Sequence, residues 1–246
     1  MNTVWQTISE NVVFVLEFLG LVLLMFLISY GIEKHVKKKN GDKERILATR
    51  KIAFIGAFSA VSAILMALDF PVPFAPPFYK IDFSDLPALI GAFAYGPVAG
   101  IMVEFCKIVI KIFIKPSSTA FVGELANFVI SSTLVLPASV FYLEKKTRKR
   151  AVIGTVVGTV IMTVFATFFN AVYLIPKFSQ LYGMPLDSIV AMGTAIHPSI
   201  DSVTGLAVLC VAPLNLLKGV VVSAVTILVY KKLSPMLKMT AGRQGK

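Results

Sequence analysis

Two polar side chains interrupt an apolar run near the C-terminal end of the sequence. In LCVAPLNLLKGVVVSAVTILVY, residues 209–230, Asn215 and Lys218 are three residues apart, so a helix places them on one face. A lysine within hydrocarbon costs about 2.5–3.5 kcal/mol on insertion scales, so its charge needs a polar partner. Lysine supplies hydrogen-bond donors, and an asparagine amide supplies both a donor and an acceptor. The pair is therefore suited to a polar pocket.

Other polar side chains also interrupt apolar stretches, where ionisable groups point to function. They are Glu17, Glu104, Lys107, Lys111, Glu124, Asn127 and Asn170. Glu104, Lys107 and Lys111 lie at i, i+3 and i+7, on one helical face. Taken singly, each residue also has a purely structural explanation. Glu104 and Lys107 could form an ion pair, Glu124 could cap a helix, and Asn170 could form a hydrogen bond to another helix. Apart from Glu17, these residues reach a similar depth from several spans, which predicts a pocket open to the outside.

The composition indicates an all-α integral membrane protein. Of the 246 residues, 57% are hydrophobic and 15% are charged, with a mean hydropathy of +0.82, whereas ordinary soluble domains are about 45–50% apolar. The net charge of +11 lies mostly between apolar spans, as it does in membrane proteins. Nucleic acid is therefore not an expected partner. Cys106 and Cys210 lie in apolar stretches and are expected to be free thiols.

Seven apolar segments are predicted to be membrane helices, since a span needs about 20 mostly apolar residues. They cover residues 12–32, 52–68, 86–95, 98–114, 120–143, 151–175 and 204–230. With the N-terminus outside and the C-terminus cytoplasmic, 18 of the 24 Lys and Arg residues lie on the inner side, as the positive-inside rule requires. The predicted organisation is an extra N-terminal transmembrane helix (1–32), a basic cytoplasmic linker (33–51), a membrane domain (52–233) and a cytoplasmic tail (234–246).

The long outer segment DFPVPFAPPFYKIDFSD, residues 69–85, is predicted to be a stiff aromatic loop, because its prolines block helix formation. The loop is a candidate lid over the pocket, and the alternative is an aromatic belt at the membrane interface. Asp82 and Phe83, near the end of this loop, are included among the candidate binding residues. Residues 176–203 contain three prolines and are also predicted to be loop-like.

Patterns that would indicate catalysis are weak. No Walker A pattern GxxxxGK[ST] occurs, so the chain carries no ATPase of its own. His197 and Asp201 in HPSID are weak evidence for a metal site or a catalytic pair. An intramembrane enzyme would use Glu104, Glu124 or His197, but no nucleophile–base pair is recognisable. We therefore predict no catalytic residue and no metal site.

Small residues recur four apart on the second span. Ala53 pairs with Ala57, and Ala63 with Ala67. This spacing lets two helices approach closely. We predict that the four alanines contact a partner helix, and the alternative is packing within the protein itself.

Several of these segments together resemble a known family, the substrate-binding S components of energy-coupling factor (ECF) vitamin transporters, and among them the riboflavin-specific members. The resemblance covers roughly residues 50–235. The motifs that carry it are DLPALIGAFAYGPVAGIMVEFCKIVIK, GELANFVI, LPAS, RKRAVIGTVVGTVIMT, the region around Asn170 and PLNLLKG. The first span and the basic linker lie outside it.

The resemblance implies a six-helix core in a bacterial cell membrane, here with one extra helix. It implies a vitamin pocket near the outer face, covered by the loop after the first core helix. The partners it implies are a transmembrane coupling subunit, contacted by the alanine helix, and two cytoplasmic ATPase subunits. The ligand it implies is riboflavin, held by Asn215 and Lys218 of an N-x-x-K pattern together with Asn170, with no other cofactor. Another small vitamin or vitamin precursor is the alternative ligand.

Three lysines, Lys107, Lys111 and Lys115, recur every four residues and approach the outer face. Lysine binds phosphate as a point charge, so this ladder would also attract FMN or FAD. The alternative is that Lys111 and Lys115 extend to outer headgroups, as long basic side chains do.

Overall fold

The computed structural model describes residues 11–42, 44–117 and 119–242, and most of them are helical. Two π-helical segments, Asn170–Leu174 and Ala207–Val211, lie within the long helices of the C-terminal half. The regular helices are α1 (Val12–Lys39), α2 (Thr49–Ala67), α3 (Asp85–Tyr95), α4 (Pro97–Ile114), α5 (Val122–Glu144), α6 (Arg148–Phe169), α7 (Ile175–Tyr182), α8 (Leu186–Thr194), α9 (Val203–Leu206) and α10 (Ala212–Gly242).

Among the described residues, five helical segments are long and apolar enough to cross a membrane. They are Val12–Lys39, Thr49–Ala67, Val122–Glu144, Arg148–Tyr182 and Val203–Tyr230. The other two predicted spans also form helices, α3 and α4. Helix α3 has only 11 residues, and α4 carries three charged residues, Glu104, Lys107 and Lys111.

Short α3 lies at the centre of the core. It contacts α2, α4, α5 and α10, and most of its residues are buried. Helix α4 follows after Gly96, whose positive φ of 105° turns the chain without a side-chain clash. Helix α6 packs between α5 and α10. Gly158 lies so close to α5 that an added Cβ would be 2.6 Å from the Leu134 carbonyl oxygen.

The outer segment after α6 differs from the sequence prediction. Residues 176–203 were expected to be loop-like, but α7 and α8 occupy much of this range. Pro176 lies in the first turn of α7, where a missing N–H costs no hydrogen bond. Pro185 is the N-cap of α8. These prolines therefore begin helices instead of preventing them.

The aromatic loop between α2 and α3 folds back on itself as a hairpin. Its ends form two short antiparallel strands, β1 (Phe70–Pro71) and β2 (Lys80–Ile81). Val72 and Ala75 inside the loop are buried. Lys115, the C-cap of α4, holds the start of the loop, because its Nζ is 2.6 Å from Asp69 Oδ1. The loop is thus packed onto the helices.

Helix α1 packs along α4 and α5. Its buried side includes Phe14, Phe18 and Val22, and many of its remaining apolar side chains are exposed, as lipid-facing residues are. The helix reaches Lys39, seven residues beyond the end predicted from the sequence. Helix α10 likewise continues to Gly242, past residue 233, the predicted end of the membrane domain.

Candidate functional site

A cavity of about 490 Å³ lies beneath the aromatic loop. Its size falls in the range of small-molecule sites, about 300–1,000 Å³. The loop, α4, α5, α7, α8, α10 and both π-helical segments contribute to its lining. The cavity therefore lies where the sequence predicted a pocket, between the C-terminal helices and the loop.

Lys218 reaches the cavity from α10, and its charge is met by carboxylates. Its Nζ is 3.0 Å from Asp85 Oδ2 and 3.6 Å from Asp82 Oδ2. Asp85 opens α3 and is fully buried. The Ser131 hydroxyl on α5 donates to Asp85 Oδ1 at 2.8 Å. Lys218 thus reaches the cavity as one half of a buried ion pair.

A second lysine shares the same carboxylate. Lys107 Nζ on α4 is 2.8 Å from Asp85 Oδ1 and 2.5 Å from Glu104 Oε2. It also donates to the Ser84 hydroxyl at 2.8 Å. Lys107, Glu104 and Asp85 are all fully buried. Together with Lys218 they form a charged layer below the cavity that joins α3, α4 and α10.

Asp82 connects this layer to the cavity wall. It lines the cavity, and Asn127 Nδ2 on α5 donates to its Oδ2 at 3.1 Å. The Ser84 backbone N–H and hydroxyl both donate to Asp82 Oδ1. Phe83, the next residue, does not line the cavity and instead packs against Phe70, with ring centroids 6.0 Å apart.

Two of the three asparagines in the predicted binding set, Asn170 and Asn215, are associated with π-helical segments. Asn170 begins the first segment, and Asn215 Nδ2 donates to the carbonyl of Val211, the last residue of the second. The two segments lie against each other, and both asparagines line the cavity. Single π turns within α-helices are frequent at functional sites. No signal considered in the sequence predicted them.

The outer rim of the cavity carries another ion pair. Lys111 Nζ on α4 is 2.7 Å from Glu124 Oε1 on α5, and both residues line the cavity. The Ser117 hydroxyl donates to Glu124 Oε2 at 2.8 Å. Glu124 lies just after Ala120 and Phe121, which both have positive φ. Such backbone strain is often found at functional sites.

The roof of the cavity is aromatic. Phe78 and Tyr79 of the loop line it, together with Phe178 of α7. Phe78 stacks on Phe178, with ring centroids 5.4 Å apart. The Tyr79 hydroxyl donates to Asn170 Oδ1 at 3.1 Å. The loop therefore contacts the opposite wall in this structure.

Most residues of the predicted set line this one cavity. These are Asn215, Lys218, Asn170, Glu124, Asn127, Lys111 and Asp82. Glu104 and Lys107 lie in the charged layer below it, and Phe83 packs beside it. Sequence analysis missed Asp85, which stands immediately before the apolar segment 86–95. A carboxylate one residue from an apolar run could have been counted as a partner for the buried lysines.

The four alanines of α2 do not share one environment. Ala53 and Ala57 are exposed, as are Gly56 and Ala60 nearby. Ala63 is fully buried within the protein, and Ala67 is half-buried. Because Ala63 packs inside the protein, only the N-terminal part of the predicted alanine surface is open to a partner.

The weaker catalytic hypothesis gains no support from the geometry. His197 is exposed, and its Nδ1 accepts a hydrogen bond from the Ser199 backbone N–H. Within residues 11–42, 44–117 and 119–242, no group of three His, Cys, Asp or Glu side chains is placed to hold a metal ion.

Comparison with known families decides the class of this protein. The family model described as "ECF transporter, substrate-specific component" matches residues 50–230. The chain belongs to this family. The match begins just before the core helix α2, so α1 lies outside it. The predicted fold class, a six-helix S-component core plus one N-terminal helix, is confirmed, and so is the prediction that the protein is not an enzyme.

Individual relatives support the same assignment. The chain is 32% identical over 193 residues to a protein of Bacillus subtilis (strain 168) named "Riboflavin transporter FmnP", which covers 78% of this chain and 96% of that protein. It is 33% identical over 192 residues to "Riboflavin transporter RibU" of Staphylococcus aureus (strain TCH60), covering 77% and 93%. A solved structure titled "Structure and mechanism of the S component of a bacterial ECF transporter" aligns with a TM-score of 0.61 at 33% identity, covering 77% of this chain and 98% of that one.

Proposed function

We propose that this protein binds riboflavin at the outer face of a bacterial cell membrane and serves as the substrate-specific subunit of an ECF-type uptake transporter. The observation that carries this proposal is the convergence of Asn170, Asn215 and Lys218 on one cavity beneath an aromatic loop. Relatives named as riboflavin transporters that align over most of the chain support the choice of ligand.

The chemistry of the cavity matches that of a flavin. The ligand is a planar ring with a pyrimidine edge of carbonyl and N–H groups. Asparagine amides at 170 and 215 supply donors and acceptors, and the Lys218 ammonium supplies donors. Phe78, Tyr79 and Phe178 offer apolar ring surface to the planar part. Because Asp85 already balances the Lys218 charge, a neutral ring edge suits the site.

The proposed partners are a transmembrane coupling subunit and two cytoplasmic ATPase subunits. The chain has no Walker A pattern, so ATP hydrolysis must come from another subunit. The exposed small residues Ala53, Gly56, Ala57 and Ala60 give α2 a surface on which a second helix can approach closely. This surface is the proposed contact with the coupling subunit.

The ligand assignment is tested by titrating the purified full-length protein with riboflavin and following flavin fluorescence. We expect saturable quenching at about one flavin per chain, because the cavity has room for one drug-sized ligand. Lys218→Met should weaken binding about 10- to 100-fold, as expected for loss of a hydrogen bond from a charged group. Lys232→Met is the matched control, since Lys232 is exposed at the other end of the same helix.

Two negative results of this titration would reject different parts of the proposal. Saturable binding of another vitamin without any quenching of flavin would reject riboflavin as the ligand. Riboflavin binding that is equally weakened by Lys218→Met and Lys232→Met would reject the assigned cavity, because Lys232 does not line it.

A further inference from the structure

Helix α1 lies outside residues 50–230, which the family model matches. The Bacillus subtilis relative aligns over 96% of its own length, and the remainder is far shorter than a membrane-spanning helix. The chain therefore carries α1 as an addition to the shared core. Its contacts differ at its two ends, and the outer end lies beside the cavity wall.

Glu17, near the outer end of α1, holds two residues of this wall. The Tyr173 hydroxyl donates to Glu17 Oε2 at 2.6 Å, and Lys177 Nζ is 2.9 Å from the same oxygen. Lys177 Nζ also lies 5.5 Å from the centroid of the Phe14 ring on α1. One carboxylate and one ring of α1 thus hold the start of α7 and the π-helical segment before it.

The two residues held by Glu17 are direct sequence neighbours of residues that line the cavity. Tyr173 precedes Leu174 and Ile175, which both line it, and Lys177 precedes Phe178. Phe178 in turn stacks on Phe78 of the aromatic loop. A displacement of Tyr173 and Lys177 would therefore move the wall and the roof contact together.

Helix α1 also supports the wall formed by α5. Phe18 packs on Phe128, with ring centroids 6.2 Å apart. Phe128 is fully buried and follows Asn127, which lines the cavity. The outer half of α1 thus contacts two walls of the cavity.

The inner end of α1 is fixed by separate contacts. The Val98 backbone N–H, at the start of α4, donates to Glu33 Oε2 at 2.9 Å. Asn40 Nδ2 donates to the Leu143 carbonyl at 3.1 Å. These contacts join α1 to the inner side of the core, so the outer contacts are not the sole attachment of the helix.

We propose that α1 is a retention element for the ligand, with Glu17 as a positioning residue that holds the α7 wall closed over the cavity. This inference rests on the proposed function, because it assigns a role in holding the riboflavin that the cavity takes up. The ligand leaves only when the wall or roof moves outward, and that motion breaks the contacts of Glu17 with Tyr173 and Lys177. Removing the carboxylate therefore speeds release without changing any group that touches the ligand.

The experiment measures the release of radiolabelled riboflavin from the full-length protein in lipid nanodiscs after addition of excess unlabelled riboflavin. We expect Glu17→Leu to raise the dissociation rate about 5- to 30-fold, because the wall opens more easily without these contacts and this factor is within the usual range for coupling between two sites. The association rate should change by less than about twofold, because the cavity groups remain in place. Lys177→Glu should also speed release, and the double variant Glu17→Lys/Lys177→Glu should slow it again by restoring an opposite pair.

Glu33→Gln is the matched control on the same helix. It weakens the inner contact of α1, so it should lower the unfolding temperature while riboflavin leaves at the wild-type rate. The proposal is overturned if Glu17→Leu releases riboflavin at the wild-type rate. It is also overturned if Glu33→Gln speeds release as much as Glu17→Leu does, because α1 would then act only by stabilising the fold. A wild-type protein that binds no riboflavin would reject the proposed function itself.

Discussion

At the level of single residues, the site depends on a buried balance of charge. Asp82, Asp85 and Glu104 face Lys107 and Lys218, and all five side chains are buried. A buried ion is costly unless it is paired and hydrogen-bonded. Asp85 is the member shared by both lysines. Without Asp85, Lys107 keeps only Glu104 as a carboxylate partner among the described residues, and Lys218 keeps only Asp82, at 3.6 Å.

We therefore predict that Asp85→Asn destabilises the protein by about 3–5 kcal/mol, the usual cost of breaking a buried ion pair by removing one partner. Riboflavin binding should weaken as well, because Lys218 loses its nearest carboxylate. Thermal unfolding and flavin titration of the same preparations measure both effects. Asp187→Asn, at an exposed position on α8, is the control and should change neither. Wild-type stability in Asp85→Asn would contradict the shared role of this carboxylate.

The lysine ladder at the outer end of α4 is already neutralised in the structure. Lys107, Lys111 and Lys115 are each within 2.8 Å of a carboxylate oxygen, of Asp85, Glu124 and Asp69 respectively. A phosphate would have to compete with these partners. We therefore predict that the site in this arrangement favours riboflavin over its phosphorylated forms.

A second prediction at this level follows for FMN. Glu124→Gln releases Lys111 from its partner at the cavity rim, so it should raise FMN affinity about 5- to 10-fold relative to riboflavin, as expected for one new charge-assisted contact. The gain should shrink at high salt, because partly exposed charges are screened. Competition between FMN and riboflavin for the same protein preparation measures the ratio of the two affinities. Adding Lys111→Ala should abolish the gain, and a gain that persists would show that Lys111 does not read phosphate.

At the level of elements, α2 has two faces with different roles. Ala57 is exposed on one, and Ala63 is fully buried on the other. The two positions are six residues apart, which at 3.6 residues per turn separates their side chains by about 120° around the helix axis. A small residue therefore allows close approach of a partner helix at position 57 and fits the packed core at position 63.

The two alanines should respond differently to the same substitution. Ala57→Leu should leave flavin binding and stability unchanged but block uptake by the assembled transporter, because the added side chain keeps a partner helix at a distance. Ala63→Leu should cost about 1–3 kcal/mol of stability by overfilling the core. Binding to the purified protein and uptake by cells that express the whole transporter separate the two effects. Normal uptake with Ala57→Leu would exclude this face as the contact with the coupling subunit.

At the level of the whole molecule, the two ends of α1 contact opposite sides of the core. Its outer end contacts Lys177 of α7, and Asn40 just beyond its inner end contacts the end of α5. If the cavity opens to the outside, the start of α1 lies outside too. The positive-inside count gives the same orientation, with the basic linker and tail in the cytoplasm.

Cysteine labelling of intact cells tests this orientation. In a background with Cys106 and Cys210 replaced by serine, Asn11→Cys and Ser188→Cys should react with a membrane-impermeant maleimide. Thr147→Cys, between α5 and α6, should react only after the cells are permeabilised, because the predicted topology places it in the cytoplasm. Labelling of Thr147→Cys in intact cells would reverse the assigned topology, and the two outer positions serve as each other's control.

The sequence alone determined the class of the protein and marked most of the polar side chains that line the cavity. The sequence has apolar segments of near-membrane length separated by basic loops. This pattern can be recognised without the fold, because the free-energy cost of moving a side chain from water to lipid depends mainly on the type of residue. The same costs marked Asn170, Asn215 and Lys218 as buried polar groups that need partners, and the structure places all three on one cavity. Helical spacing also put Glu104 and Lys107 on one face, where they form an ion pair.

Only the tertiary structure decided which partners these groups have. Asp85 and Lys218 are 133 positions apart in the sequence, and their pairing depends on how α3 and α10 cross. Ala53 and Ala63 look alike in the sequence, and only the packing of α2 against its neighbours buries one and exposes the other. Pro176 and Pro185 begin helices because each stands in a position that needs no backbone donor. The contact of Glu17 with Lys177 depends on where α1 docks, because periodicity fixes the faces within one helix but not the neighbour that each face meets.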